Sequence, residues 1–365
     1  MRIFNIKKPK AIPVPNQQYD ERDTMFARMA RKPNTEVYDH YYSNNPSLKK
    51  KDDHIRSLPP LLDSKGKYYD SDYSEKARQL FNSIEDISID NRIVDKHVKL
   101  FRNNISKTNV LKKIAIELGA VSVGCTNLEG KFVYSHKGRF DNNYGKKIIL
   151  EHQNVFVFLV EMDFEQMSFS PKANVIVESA KQYYRAAVIS KTLEAIILKL
   201  GYEAKAHYDA YYDVILPPIA VQAGLGELGR NNILIADKFG SRVRIGAVTT
   251  DLYFEYDSPI SIGANRFCDV CKKCATNCPT KALSINGKST VRGIEKWTTN
   301  VEKCYSIWRF YGTDCGICMA VCPFSHRNNW FHYLIRKVVK FFPIFNKILL
   351  FFEDLIYRKK WRIKK

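Results

Sequence analysis

Two runs of cysteine carry the most specific chemistry in this chain. The first reads Cys268-x2-Cys271-x2-Cys274-x3-Cys278-Pro279, and the second Cys304-x10-Cys315-x2-Cys318-x3-Cys322-Pro323. Eight of the nine cysteines lie in this stretch. Thiolates at x2 spacing wrap one corner of an iron–sulfur cube, and the fourth cysteine of such a run, followed by proline, points away to a second cube. That rule assigns Cys268, Cys271, Cys274 and Cys322 to one [4Fe–4S] cluster, and Cys278, Cys304, Cys315 and Cys318 to another. A disulfide framework does not suit cysteines crowded into one segment of a large chain with no secretory signal. Zinc favours paired CxxC units with longer gaps between them. Two neighbouring cubes make a two-step wire for single electrons, so the rest of the chain is expected to hold the acceptor. The ninth cysteine, Cys125 in AVSVGCTNL, reads as a packed structural thiol in a buried strand.

A second motif, GLGELG at Gly224–Gly229, matches G-x-G-x-x-G. It signals a dinucleotide site when it follows a strand and opens a helix. Here LPPIAVQA precedes it, and the two prolines argue against a central strand; RNNILIADKFG follows and reads as a turn and a strand. The glycines are therefore expected to let a backbone loop approach some other flat or bulky ligand.

The elements that must position these residues follow from composition and pattern. The 365 residues are 45% hydrophobic and 26% charged, which is globular and too long for a single small core. No apolar run approaches the roughly 18–20 residues that a membrane-spanning helix needs. The opening MRIFNIKKPKAIPVP has no apolar signal region and no Arg-Arg pair, so no export leader is read in it. Net charge is +20, and residues 327–365 hold eleven Lys/Arg against Glu353 and Asp354. Such an excess suits an acidic partner: lipid headgroups, nucleic acid or an acidic protein.

Four regions are expected. Residues 1–91, rich in Tyr, Asp, Lys and Pro, read as an extended arm draped over a core, with a short helix at DERDTMFARMARK. Residues 92–262 read as α/β. There DKHVKLFRNNISKTNVLKKIAIELGA forms a helix ending at Gly119, AVSVGCTNL and NVFVFLVEM form strands, and a long helix is stopped by Gly201. A hairpin turns at Phe239–Gly240. Residues 263–329 hold the cysteines. Residues 330–365 alternate aromatic and basic, and Pro343 should divide them into two short amphipathic helices, lying on a membrane or packed on the body.

DERDTMFARMAR, AGLGELGRNNILI, FGSRVRIGAVTTDL, FCDVCKKCATNCPTKAL and CGICMAVCPFSH, in that order, resemble the cobalamin-dependent reductive dehalogenases over nearly the whole chain. The resemblance implies an α+β fold: a nitroreductase-like, corrinoid-binding α/β core with a C-terminal two-[4Fe–4S] ferredoxin-like segment. It also implies that electrons pass through the clusters to cobalamin Co(I), which reductively removes halide from an organohalide. A tyrosine is the proton donor, and a nearby Arg or Lys lowers its pKa. Tyr134, in KFVYSHKGR, is the expected donor and Arg185, in KQYYRAA, its basic partner, with Lys181 as second choice and Tyr184 as rival donor. The chain has no D-x-H-x-x-G, so base-off cobalamin is expected. Backbone contacts to it are expected from Gly224, Leu225, Gly226, Glu227, Leu228, Gly229 and Arg230, and from Gly240 to Arg244.

The resemblance also implies partners: a low-potential donor (ferredoxin, flavodoxin or a quinol-linked chain) and, as in respiratory members, a small membrane anchor protein. Nucleic acid is not an expected partner. As written, the chain suits the cytoplasm or a membrane periphery, and the outer face of the membrane if a twin-arginine leader was removed. Two alternatives stay open. An epoxyqueuosine reductase-like enzyme would act on tRNA, but KQYYRAA lacks the aspartate that family carries in this helix. A ferredoxin-like carrier would not need the long α/β region.

Overall fold

The run NVFVFLVE is apolar at all but its first and last positions, so a strand built from it needs cover on both faces. The computed structural model, which describes residues 18–102 and 106–364, provides that cover. The sheet comprises β1 (Ser122–Asn127), β2 (Asn154–Glu161), β3 (Ala204–His207) and, after the short pair β4 (Glu227–Leu228) and β5 (Leu234–Ile235), β6 (Val243–Thr250). Its order is β1-β2-β6-β3, antiparallel throughout. Side chains alternate faces along a strand. Phe156, Phe158 and Val160 thus enter one core cluster, while Val155, Val157 and Leu159 enter another with Phe132, Tyr134 and Ile219. Each such burial contributes about 1.5–3 kcal/mol. Gly246 lies opposite Phe158 in the register, and a Cβ there would stand 2.4 Å from the Phe158 ring.

Ahead of the sheet come α1 (Met25–Ala30), α2 (Glu36–Asn44), α3 (Pro46–Ser57), α4 (Ser71–Asn82), α5 (Asn91–Val98) and α6 (Lys107–Glu117). Between β2 and β3 lie α7 (Phe164–Met167) and the 26-residue α8 (Asn174–Lys199), which covers one face of the sheet and ends at Leu200, before Gly201 at φ +88°. Then α9 (Leu216–Gln222) covers the other face. The cysteine region holds α10 (Ala264–Cys271), α11 (Lys273–Thr276), the hairpin β7 (Ser289–Val291) and β8 (Ile294–Lys296), α12 (Val301–Tyr311) and α13 (Ile317–Ala320). The tail is α14 (Trp330–Phe341) and α15 (Asn346–Tyr357), divided at Pro343 as expected.

Three sequence expectations change. The arm is helical where it was expected to be extended. Thr24, Thr35 and Asp70 side chains cap helix starts, and Pro46 occupies a first turn. Tyr38, Tyr41 and Tyr42, at i, i+3 and i+4, pack as one buried face. Residues 1–17, including the stretch searched for a leader, lie outside the described residues. The single helix expected over 95–120 divides into α5, a 3-10 turn at Lys99–Arg102 and α6. The hairpin at Phe239–Gly240 keeps its turn, with Ala236 and Gly240 exchanging backbone hydrogen bonds, but its arms part. One pairs with β4, while β6 enters the sheet between β2 and β3, where a longer apolar partner is available.

Candidate functional site

The cysteines fall into two quartets. Cys268, Cys271, Cys274 and Cys322 line one cavity with Phe267 and Phe324. Cys278, Cys304 and Cys318 pack together, and Cys315 lies within electrostatic reach of Cys304 and Cys278. The spacing proposes the same crossed sets as cluster ligands; Cys274 also packs beside Cys278, Cys304 and Cys318, at the junction of the two groups. Local backbone explains the convergence. Lys272 after Cys271 and Gly316 after Cys315 both take left-handed conformations, at φ +54° and +64°, and turn the next thiol back toward its predecessor. Burial pushes the Cys274 and Cys315 thiols up to about 12 and Cys304 to about 11. Buried thiols of this kind ionise only against strong positive charge, which bound iron supplies. Cys125 is fully buried in the core, and burial raises it to about 12, in keeping with a packing role.

Two arginines join this region to the core. Arg230 is 2% exposed. Its Nε donates to the Cys268 carbonyl at 3.0 Å, its Nη1 donates to the carbonyls of Ser284 and Asn286 at 2.9 and 2.8 Å, and its guanidinium lies 4.8 Å from the Trp297 ring centre. Arg242 donates to the Ser325 carbonyl at 2.7 Å and to Glu161 at 3.0 Å. The glycines expected to face a ligand also lie close to other parts of the chain, Gly240 against the cysteine region and the others within the core. A Cβ on Gly226 would stand 2.1 Å from the Ile235 carbonyl oxygen, one on Gly224 2.6 Å from that of Ser258, and one on Gly240 2.4 Å from the Phe324 carbonyl carbon. Gly229 is closed by the Ile235 side chain, and Leu225 is buried in the core. Glu227 accepts from the Asn265 N–H and the Ser261 hydroxyl, both at 3.0 Å, which ties the loop to the start of α10.

Tyr134 follows a short turn after β1, held by its N–H donating to the Asp213 carbonyl at 2.8 Å. Its ring lies between Tyr19 and Tyr212, with centroids 5.9 and 5.7 Å away. Burial raises its pKa well above that of an ordinary phenol; Tyr212, Glu21 and Tyr19 add to this, and Arg139 opposes it. The expected direction was downward; desolvation reverses it, so Tyr134 is a protonated phenol. Arg185 is not its partner. It is exposed on α8, and its guanidinium occupies the space beside Gly119 where a Cβ would stand. Lys181 is exposed too, and Tyr184 packs near Tyr208 and Tyr211. The cation within electrostatic reach of Tyr134 is Arg139, five residues on in the same KFVYSHKGR stretch, which hydrogen-bonds the neighbouring Tyr212. Glu21 of the DERD signature is 2% exposed and accepts from the Gly138 N–H at 2.7 Å, fixing that loop.

From Arg139 a line of charges runs to the second quartet. Arg139 Nη1 lies 3.8 Å from Asp209 Oδ1, and Asp209 is also within reach of Arg244. Arg244 donates to Ser179 Oγ at 2.6 Å, lies 3.6 Å from Asp314 Oδ2 and sits 4.6 Å over the Tyr183 ring. Asp314 precedes Cys315. Burial raises both Asp209 and Asp314 above ordinary carboxylates in spite of the arginines. Tyr183 and Asp209 are part-buried, and burial raises both. Arg244 Nε, Gln182 Oε1 and Thr313 Oγ1 are buried without hydrogen-bond partners. Such atoms are few in native proteins and mark where a further polar group belongs. An amide-rich macrocycle fits this donor and acceptor set.

A cavity of about 410 Å³ adjoins Tyr134, lined also by Tyr19, Lys131, Leu228, Arg292 and Lys296. Its size suits a small molecule. Arg292 and Gly293, at φ +51° and +75°, form the β7–β8 turn with the two left-handed residues such hairpins favour. Arg292 then lies 3.7 Å over the Tyr19 ring.

Residues 267–326 match the family described as a 4Fe-4S dicluster domain. The chain is similar to the tetrachloroethene reductive dehalogenase of Desulfitobacterium hafniense, 36% identical over 219 residues, which is 57% of this chain and 39% of that protein. It is 31% identical over 154 residues to the epoxyqueuosine reductase of Lactococcus garvieae, covering 40% of this chain and 41% of that protein. Its fold is similar to that of the catabolic reductive dehalogenase NpRdhA solved with 3-bromo-4-hydroxybenzoic acid, at TM-score 0.72 and 22% identity, covering 96% of this chain and 48% of that one. The chain therefore spans less than half the length of each of these three proteins.

Proposed function

As a relative of the reductive dehalogenases, and more distantly of the epoxyqueuosine reductases, the chain is, we propose, an enzyme that reductively removes halide from an organohalide. Two [4Fe–4S] clusters held by the quartets, and a base-off corrinoid, would supply low-potential electrons and the cobalt centre at which a carbon–halogen bond breaks. Arg244, Gln182 and Thr313 would hold amide groups of the corrinoid through their unpaired atoms.

The chain's own part in the chemistry is proton management. Tyr134 holds a proton on its phenol oxygen at neutral pH and gives it to the carbon that loses halide. Arg139 stabilises the phenolate left behind and is the positioning cation in place of Arg185. The aromatic walls exclude water, while Lys131, Arg292 and Lys296 give the adjoining cavity a positive lining. The observation that carries this reading is the line of charges from Tyr134 through Arg139, Asp209 and Arg244 to Asp314, next to the second quartet. On this reading the line of charges would couple a proton donor that lines the cavity of about 410 Å³ to an electron outlet beside Cys315.

The test is anaerobic turnover of a halogenated panel with reduced viologen. Tyr134→Phe should keep iron and corrinoid and lose most halide release; turnover equal to wild type would remove the donor assignment. A low-potential ferredoxin, flavodoxin or quinol-linked chain would feed the clusters, and a small membrane anchor protein remains a proposed partner.

A further inference from the structure

The two tail helices turn their acids and a few apolar side chains inward and leave most of their large apolar side chains outward. On α15, Ile348, Phe351, Phe352, Leu355 and Ile356 recur at i, i+3, i+4, i+7 and i+8, the spacing of a core-facing stripe. Here these residues are 51–69% exposed. The opposite face is polar and anchored. Asn346 is buried, and the Glu353 carboxylate takes hydrogen bonds from Lys273 Nζ and His326 Nε2, both at 3.0 Å. Asp354 also faces Lys273, at 3.4 Å. These contacts fix the rotation of the helix about its axis. The elbow between the helices extends the patch, with Ile344 83% exposed, and Trp330 at the start of α14 is 78% exposed. An apolar surface this continuous marks an interaction site.

Charge identifies the occupant. Residues 327–365 carry two acids, Glu353 and Asp354, and both turn inward onto Lys273. Lys347, Arg358, Lys359 and Lys360 are exposed around the patch. The outer face is therefore apolar with a cationic rim. A second copy of the chain would bring like charges together. An anionic lipid surface matches both features, with the apolar side chains at the acyl boundary and the cations among the headgroups. Each helix has 12 residues, about 18 Å, against a hydrocarbon core of about 30 Å, so the pair lies in the interface and does not span it. No helix among the described residues is long and apolar enough to cross a membrane.

We propose that α14 and α15 form a monotopic anchor that docks the protein on an anionic lipid surface. The docking has a definite orientation. Val339 of α14, with Leu349 and Leu350 of α15, packs in one cluster with Cys268, Cys322 and Phe267. The lipid-facing helices thus lie against the first quartet, which would turn toward the membrane. The anchor does not depend on the substrate or on the corrinoid.

Flotation of the full, cluster-loaded chain with protein-free vesicles tests this. Phosphatidylcholine vesicles containing phosphatidylglycerol should carry the protein up, about tenfold or more tighter than phosphatidylcholine alone. Trp330 fluorescence should shift to the blue on binding, and Trp330→Phe should remove that shift. The double variant Phe351→Glu/Leu355→Glu should stay in solution with unchanged iron content and melting temperature. Three results overturn the proposal: no flotation with either vesicle, equal flotation of the double variant, or binding to native membranes but not to protein-free lipid, which would assign the patch to a membrane protein.

Discussion

Burial holds the proton on the Tyr134 phenol, which the proposed role of proton donor requires. Its folded-state pKa is raised, so the stability it contributes is present below the ordinary phenol value of about 10 and is lost as pH rises above that. The turnover profile should accordingly show no alkaline limb from this group below about pH 10, and a titration from pH 6 to 10 checks it. Tyr134→Phe should lower turnover by about 10²–10⁴, the usual range for a lost general acid. Arg139→Met should lower turnover while Arg185→Met leaves it near wild type, and the reverse ranking would restore the original partner. Tyr134 was named from its place just beyond a recognisable strand, and its part as donor stands as a proposal. Arg139 stood in the same quoted stretch, but the fold of the loop that returns it to Tyr134 has no periodic signal. Arg185 misled because much of α8 is buried on several sides, from Val175 to Ile197, so its sequence shows no single inward face.

At the scale of elements, the quartets were the clearest feature of the sequence, since cysteine spacing is set by the geometry of the cube. Cys322→Ala should disturb the cluster of Cys268, Cys271 and Cys274, and Cys278→Ala the other; resonance spectra showing the opposite pattern would refute the crossing. The glycine loop was less legible. Its spacing called for close approach, and close approach occurs between protein backbones, while contact with a corrinoid stays a proposal. Arg230, expected at the corrinoid, joins the core to the cysteine region and lines the cavity of the first quartet. Arg230→Met removes three charge-assisted hydrogen bonds, each worth about 1.5–3 kcal/mol, and should show as a lower melting temperature with loss of iron. The arm was misjudged because Asn, Pro and Ser punctuation in KPNTEVYDHYYSNNPSLKKK reads as turns, yet those residues serve as caps and first-turn positions of short helices.

Across the whole molecule, the sheet and its two helical covers hold Tyr134, and the cysteine region is joined to them through Arg230, Arg242 and the Arg244–Asp314 pair. The order of parts was visible in the sequence, but the line of charges was not, because it draws on segments as distant as Ser179, Asp209, Arg244 and Asp314. The proposed function requires a corrinoid bound beside the second quartet. Iron and cobalt counted per chain, after oxygen-free reconstitution with cobalamin and removal of unbound cofactor, test it most directly. About eight iron and one cobalt are predicted; eight iron with no retained cobalt would contradict it.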